Sequence, residues 1–320
     1  IIAVRLIILI TDAVTYFLMR SWLPENSRKR FTILFWLNPV TFYISYVHGQ
    51  LDVIAIAFLV VSLWFLFSAK MTQSAIFYAV ALAAKTSVIL ILPLNLLYFF
   101  QKQRTVLLTA IFLFIVLLTF FALNLQFIFD TAFIEMVFKN QEQSKLLNLS
   151  LNIGELSIYW VIVLMAAITA FGYKIGITNK NLFLMFVCFY FSAVLIALPP
   201  MYGWYWWIIP FFAYFFALEA KTPIVLFICL QFFYFAYFLI SPTSDYAQIF
   251  QLIMEPRPAA GFFYIALKKA GADVDFFLNV TFTFLQTILL MLCVQVLYSG
   301  LLRYRIEKIS GTPFLLGIGG

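Results

Sequence analysis

Thr105-Val106-Leu107-Leu108-Thr109-Ala110-Ile111-Phe112-Leu113-Phe114-Ile115-Val116-Leu117-Leu118-Thr119-Phe120-Phe121-Ala122-Leu123-Asn124 is a run of twenty residues without a charged side chain. As a helix it would be about 30 Å long, the thickness of a bilayer's hydrocarbon core. Similar runs lie on both sides of it, and the 320-residue chain is 65% hydrophobic, 20% aromatic and 10% charged. Soluble domains carry about 25% charged residues, and a soluble fold of this composition would expose apolar patches that monomers avoid. The runs do not alternate polar with apolar residues, as barrel strands do. The expected fold class is all-α, a polytopic transmembrane helical bundle, with the lipid bilayer as a partner.

Eleven candidate spans fall at about 1–19, 31–47, 53–69, 73–84, 86–100, 105–124, 155–173, 182–198, 204–219, 223–240 and 279–299. A single span over 73–100 would put Gln101-Lys102-Gln103-Arg104 on the wrong side, so two short helices are expected to meet at Lys85. Counting basic residues at the span ends places thirteen of the 20 lysines and arginines on one side, which is then cytoplasmic, and nine of the 13 carboxylates on the other. Ile1 enters from outside and the last span ends inside. Residues 1–302 are thus expected to form the membrane module and 303–320 a cytoplasmic tail. Two outer segments, about 125–154 and 241–278, are long enough to build a site.

The net charge of +7 sits in short clusters between apolar runs, which reads as topology and excludes a nucleic-acid partner. Cys188, Cys229 and Cys293 lie inside apolar runs without metal-ligand spacing and read as packing residues. In the first outer segment, Asp130 can cap a helix over 130–139 whose Phe129, Phe133, Ile134 and Val137 share a face, as in an interfacial helix. Asn148-Leu149-Ser150 matches a glycosylation sequon.

Polar side chains concentrate in the stretch from Leu37-Asn38-Pro39 to His48-Gly49-Gln50-Leu51-Asp52. Pro39 frees a carbonyl within the second span, and Asn38 can re-satisfy the backbone there. His48, Gln50 and Asp52 surround Gly49 at the outer mouth of the bundle, where ionisable groups are functional candidates; alternatively, His48 and Asp52 pair across one helical turn. Arg5 and Asp12 share a face of the first span about 10 Å apart. That is too far for a direct pair, so they either line a polar cavity or find separate partners, Arg5 at the interface and Asp12 on a neighbouring helix.

Lys85, followed by Thr86 and Ser87, suits an anion such as the phosphate of a lipid carrier, or a lipid headgroup. Tyr202, Gly203, Trp204, Tyr205, Trp206 and Trp207 form an aromatic turn that reads as an interfacial belt or as a surface for stacking on sugar rings. Arg257, between two prolines, could grip a phosphate in a fork or lie on a solvated loop. The sequence shows no nucleotide-sugar site, metal cluster, serine or cysteine nucleophile pair, or complete phosphate loop.

Taken together, the Asn38-Pro39 span, the turn His48-Gly49-Gln50-Leu51-Asp52, the alanine-rich helix ending in Lys85 and Tyr202-Gly203-Trp204-Tyr205 before Pro210 resemble the GT-C superfamily of integral-membrane glycosyltransferases. The resemblance is to the polyprenyl-phosphate-mannose-dependent mannosyltransferases related to GPI mannosyltransferase I, and it covers roughly residues 1–300 in order. It implies an inverting transfer of a mannose-like hexose from a polyprenyl-phosphate-sugar donor to a glycan, lipid or protein acceptor. It also implies an acidic base in the first outer loop, upstream of Ile1, which leaves the catalytic residue unassigned here. His48, Gln50 and Asp52 carry over as donor or acceptor contacts, with Lys85 and Arg257 as phosphate contacts. Metal dependence varies among such enzymes, so no cofactor is assigned and a divalent metal stays open.

The implied location is the plasma membrane of a prokaryote or a eukaryotic endoplasmic reticulum, with the site on the extracytoplasmic face. Thr312-Pro313-Phe314-Leu315-Leu316-Gly317-Ile318-Gly319-Gly320 resembles the start of a P-loop kinase-like domain, with a disordered tail as the other reading. A multi-span transporter or lipid-linked-glycan flippase is the competing function. Transporters often carry internal repeats, and neither the 38–52 stretch nor the Lys85 break has a second copy.

Overall fold

The computed structural model describes residues 2–137, 139, 149–241 and 262–310, almost all of them helical. The first half runs through helices Ile2–Ser21, Glu25–Trp36 and Pro39–Phe42, a π-helical turn Tyr43–His48, helices Asp52–Phe67 and Met71–Ala84, a 3-10 turn Thr86–Ile91, and helices Leu92–Gln103, Val106–Asn124 and Thr131–Val137. A hairpin, Ser150–Ile153 with Leu156–Tyr159, leads into helices Trp160–Ile175 and Lys180–Ala197. After a 3-10 turn Tyr202–Trp207 come helices Ile209–Leu218, Val225–Ile240, Phe262–Lys269 and Val274–Ser310.

Three helices, Val106–Asn124, Lys180–Ala197 and Val274–Leu302, are long and apolar enough to cross a membrane. They hold opposite places in the bundle. Lys180–Ala197 is 78% buried over its apolar window against 17% for Val106–Asn124, so the first is the axis and the second the periphery. The axial helix is apolar on every side and is packed on every side, against Leu92–Gln103, Trp160–Ile175, Ile209–Leu218 and Val274–Ser310. Val106–Asn124 buries only Phe112, Val116, Phe120 and Asn124, a stripe at four-residue spacing, and turns Leu107, Phe114, Leu118 and Phe121 outward.

The inner seam is built on small residues. Buried Ser74, Ala75 and Ala79 let Met71–Ala84 pack closely between Asp52–Phe67 and Val106–Asn124, since small side chains allow helix backbones to approach. Ser62 Oγ donates to the Ser74 carbonyl at 2.8 Å across this seam.

The two short helices meet at Lys85 as expected, through an extended residue with φ −154° and ψ 116°. Several elements differ from the expectations. The 31–47 span is broken after Leu37, and Asn38 caps the new helix by accepting the Thr41 N–H at 3.0 Å. The 204–219 span is a 3-10 turn followed by a ten-residue helix. The 155–173 span begins as a strand: Leu151, Ile153, Leu156 and Ile158 alternate with polar residues around the turn glycine Gly154, at φ +62°. That alternation is the strand period of two, absorbed in the sequence by the apolar run beginning at Tyr159. The last helix starts at Val274 and runs on to Ser310, past the expected module boundary at 302. Asp130 does cap Thr131–Val137, accepting the Ala132 N–H at 2.7 Å, while Asn148, Arg257 and residues 311–320 lie outside the described residues.

Tyr78, fully buried, donates from its hydroxyl to the Val88 carbonyl at 2.6 Å and so ties Met71–Ala84 to the turn that follows Lys85. Tyr78→Phe is expected to lower unfolding stability by about 1 kcal/mol, read as a reduced melting temperature of the detergent-solubilised protein.

Candidate functional site

Helices Asp52–Phe67 and Met71–Ala84 are antiparallel neighbours of nearly equal length, 16 and 14 residues. The first residue of one and the residue just after the other therefore meet at the same end of the bundle. There Lys85 Nζ donates to Asp52 Oδ1 at 2.7 Å. The Gln50 side-chain amide donates to the same oxygen at 3.2 Å, and the Trp207 indole N–H donates to Asp52 Oδ2 at 3.0 Å.

Three donors from three chain segments thus converge on one carboxylate that is only 2% exposed. Burying a carboxylate without such partners is very costly. Lys85 differs from its partner: its side chain remains 36% exposed, and an ammonium has three donors, of which one serves Asp52. The pair therefore hides its negative member and leaves the cationic side chain partly open.

Around it, the two glycines of the site make room for side chains. Gly49 ends the π-helical turn at φ +75°, a left-handed conformation that suits glycine, and a Cβ there would collide with the Arg5 guanidinium. A Cβ on Gly203 would collide with the Gln50 side chain. The His48 ring stacks on Tyr202 at 5.7 Å between centroids, and Trp204 stacks on Trp207 at 5.2 Å.

The structure brings His48, Gln50, Asp52, Lys85 and Tyr202 together, with Arg5 and Trp204 directly behind them. Several expected roles change. Arg5 does not line a cavity: it donates to the carbonyls of Ser45 at 3.0 Å and Val47 at 2.9 Å, satisfying the π-helical turn. Asp12 is fully buried, with its carboxyl beside the hydroxyls of Ser45 and Tyr46 on that same turn. Asn38 serves as a helix cap at the start of Pro39–Phe42, and the ten helical residues from there to His48 place it roughly 15 Å from the mouth.

Tyr202, Trp204 and Tyr205 are buried inside the bundle, so this turn is neither a lipid-facing belt nor an open stacking surface. Tyr205 packs on Tyr234 at 5.0 Å, and the Tyr234 hydroxyl donates to the Tyr202 carbonyl at 3.1 Å. Trp207 is the site residue that sequence reading missed. Its available signal is chemical: a tryptophan inside a run of buried aromatics still needs an acceptor for its indole N–H.

Comparison with family models, with curated proteins and with solved structures finds no match. The geometry of this end of the bundle therefore carries the functional argument.

Lys85→Ala strands a buried carboxylate and is expected to cost about 3 kcal/mol of stability. Adding Asp52→Asn to that variant should recover a large part of the loss. Denaturant unfolding in detergent of both single variants and the double variant measures the coupling; costs that simply add would show that the pair is not what holds this end together.

Proposed function

We propose that the chain is the membrane module of a glycosyltransferase that takes a hexose, mannose-like in class, from a polyprenyl-phosphate donor. The observation that supports this reading best is the partly exposed Lys85 side chain held on a buried Asp52 at one end of an apolar bundle. A phosphate carried by a lipid reaches such a place from within the bilayer, without a nucleotide pocket. On this reading the chain crosses the bilayer about eleven times, with the 31–47 crossing broken at Asn38 and the short 73–84 and 86–100 spans meeting at Lys85. The mouth at Asp52 faces the extracytoplasmic side and the last helix ends in the cytoplasm.

In the reaction the acceptor hydroxyl attacks the anomeric carbon, loses its proton to a base and displaces the lipid phosphate with inversion. Lys85 stabilises the charge that grows on the phosphate oxygen as the sugar–oxygen bond breaks. Asp52 positions Lys85. Both its oxygens already accept hydrogen bonds, which makes it a poor general base. Gln50 and His48, beside the pair, are suited to sugar hydroxyls.

The test is transfer of labelled hexose from a polyprenyl-phosphate donor by membranes carrying the full-length protein. Lys85→Ala is expected to lower kcat/KM about 100-fold, with Lys85→Arg retaining part of it. Asp52→Asn should act on donor binding, appearing as a raised donor KM in protein of unchanged expression, whereas a folding defect would lower the amount of active protein at unchanged KM. Full turnover by folded Lys85→Ala would remove the phosphate role, and lipid-linked sugar that crosses the bilayer with no bond cleaved would favour a flippase.

A further inference from the structure

In the antiparallel hairpin Ser150 pairs with Tyr159, Leu151 with Ile158, Asn152 with Ser157 and Ile153 with Leu156. Directly opposed residues point to the same face of a sheet, so the register sorts the side chains cleanly. Leu149, Leu151, Ile153, Leu156, Ile158 and Trp160 share one face; Ser150, Asn152, Ser157 and Tyr159 share the other. On the polar face Ser157 Oγ donates to Asn152 Oδ1 at 2.8 Å. The six residues of the apolar face are between 39% and 76% exposed, and the hairpin's main packing neighbour among the described elements is the Trp160–Ile175 helix that follows it.

Two physical demands then fix the surroundings. A two-stranded hairpin with six uncovered apolar side chains is marginal in water and would be an aggregation hazard. Its two strand edges, with unpaired backbone groups, cannot enter the hydrocarbon core either. The one environment that meets both demands is the boundary between acyl chains and headgroups, with the sheet lying flat. The apolar face is continuous with Ile162, Val163 and Leu164, which are outward on the next helix, and Trp160 stands at the junction, as tryptophans do at bilayer interfaces.

The hairpin also lies at the Lys85 end of the bundle. Gln101, at the far end of Leu92–Gln103, donates to the Tyr173 carbonyl at 2.9 Å and accepts the Ile177 N–H at 2.7 Å. The far ends of the two helices are thereby pinned together, so their other ends, toward Lys85 and toward Trp160, point the same way.

We propose that the 149–160 hairpin is a lipid-docking element, lying flat in the headgroup boundary of the leaflet on the Asp52 side with its Leu156 face against the acyl chains. Its only charged residue is Glu155, so the docking is apolar and does not depend on anionic lipid. The proposal is independent of the chemistry at Lys85 and survives if no sugar transfer is found.

The experiment places a nitroxide at Leu156→Cys, Ile158→Cys or Ser157→Cys of the full-length protein in phosphatidylcholine vesicles, with unsubstituted protein as the labelling blank. Relaxation by oxygen and by a water-soluble nickel chelate is then compared. Labels at Leu156 and Ile158 are expected to favour oxygen severalfold over the label at Ser157, unchanged by added salt or phosphatidylglycerol. Equal access of the nickel chelate to all three sites would overturn the proposal. So would dipolar broadening at Leu156 that vanishes on dilution with unlabelled protein, since a second copy would then cover the face.

Discussion

The carboxylate of Asp52, withdrawn from water at the end of an apolar bundle, is the constraint around which that end is organised. It needs donors on both oxygens, and no single helix can supply them, because helical neighbours of a first residue project backbone rather than side-chain donors into that space. The donors come instead from a turn before the helix, a break between two others and a 3-10 turn late in the sequence. Each irregular segment is placed by the need to reach the same two atoms. The helix ending at Ala84 has to stop there for the Lys85 chain to turn toward Asp52. Gly203 has to lack a side chain because Gln50 occupies the space above it.

The same logic extends to the backbone. Every interruption of a helix in an apolar environment frees polar groups that no solvent can satisfy. At Asn38 the side chain takes up a free N–H. At the π-helical turn, the carbonyls of Ser45 and Val47 are met by Arg5 from a helix forty residues earlier in the chain. Ile44 accepts from both Gly49 and Gln50 where the turn ends. Arg5 in the first helix thus serves the geometry of the π-helical turn, and through it the orientation of His48 and Gln50. The arrangement at the mouth rests on polar residues placed one layer below it.

Much of this was legible in the sequence. Apolar run length located the helices Asp52–Phe67, Met71–Ala84, Val106–Asn124, Lys180–Ala197 and Val225–Ile240 to within about two residues, because burial against lipid or protein demands the same composition over the whole length. It missed the ends of the spans that break at Asn38, at the hairpin and at the Tyr202–Trp207 turn. The Lys85 break was legible because charge placement excludes a continuous span. The cluster at His48, Gln50 and Asp52 was legible because hydrogen-bonding groups are rare in such a chain and therefore conspicuous. What escaped was set by contacts distant in sequence. Trp207 looked like one aromatic among five, and only three-dimensional proximity to Asp52 singles it out. The spacing of Arg5 and Asp12 excluded a mutual pair and left a cavity or separate partners open; Asp12 does find a neighbouring segment, but that both are directed at a π-helical turn is something run length cannot foresee. The hairpin escaped because its period-two pattern is only eight paired residues long and merges into a helix of similar hydropathy.

The identity of the cation at the mouth adds a last constraint. An arginine fork would hold the Asp52 carboxylate in two-point fashion and spend its donors there. Lysine is a compact charge on a flexible stem, so one N–H can remain on Asp52 while the others turn outward. Its partial exposure beside a fully enclosed partner is the arrangement expected of a group that keeps its position and still meets a mobile anion. That asymmetry is the feature on which the proposed phosphate role rests.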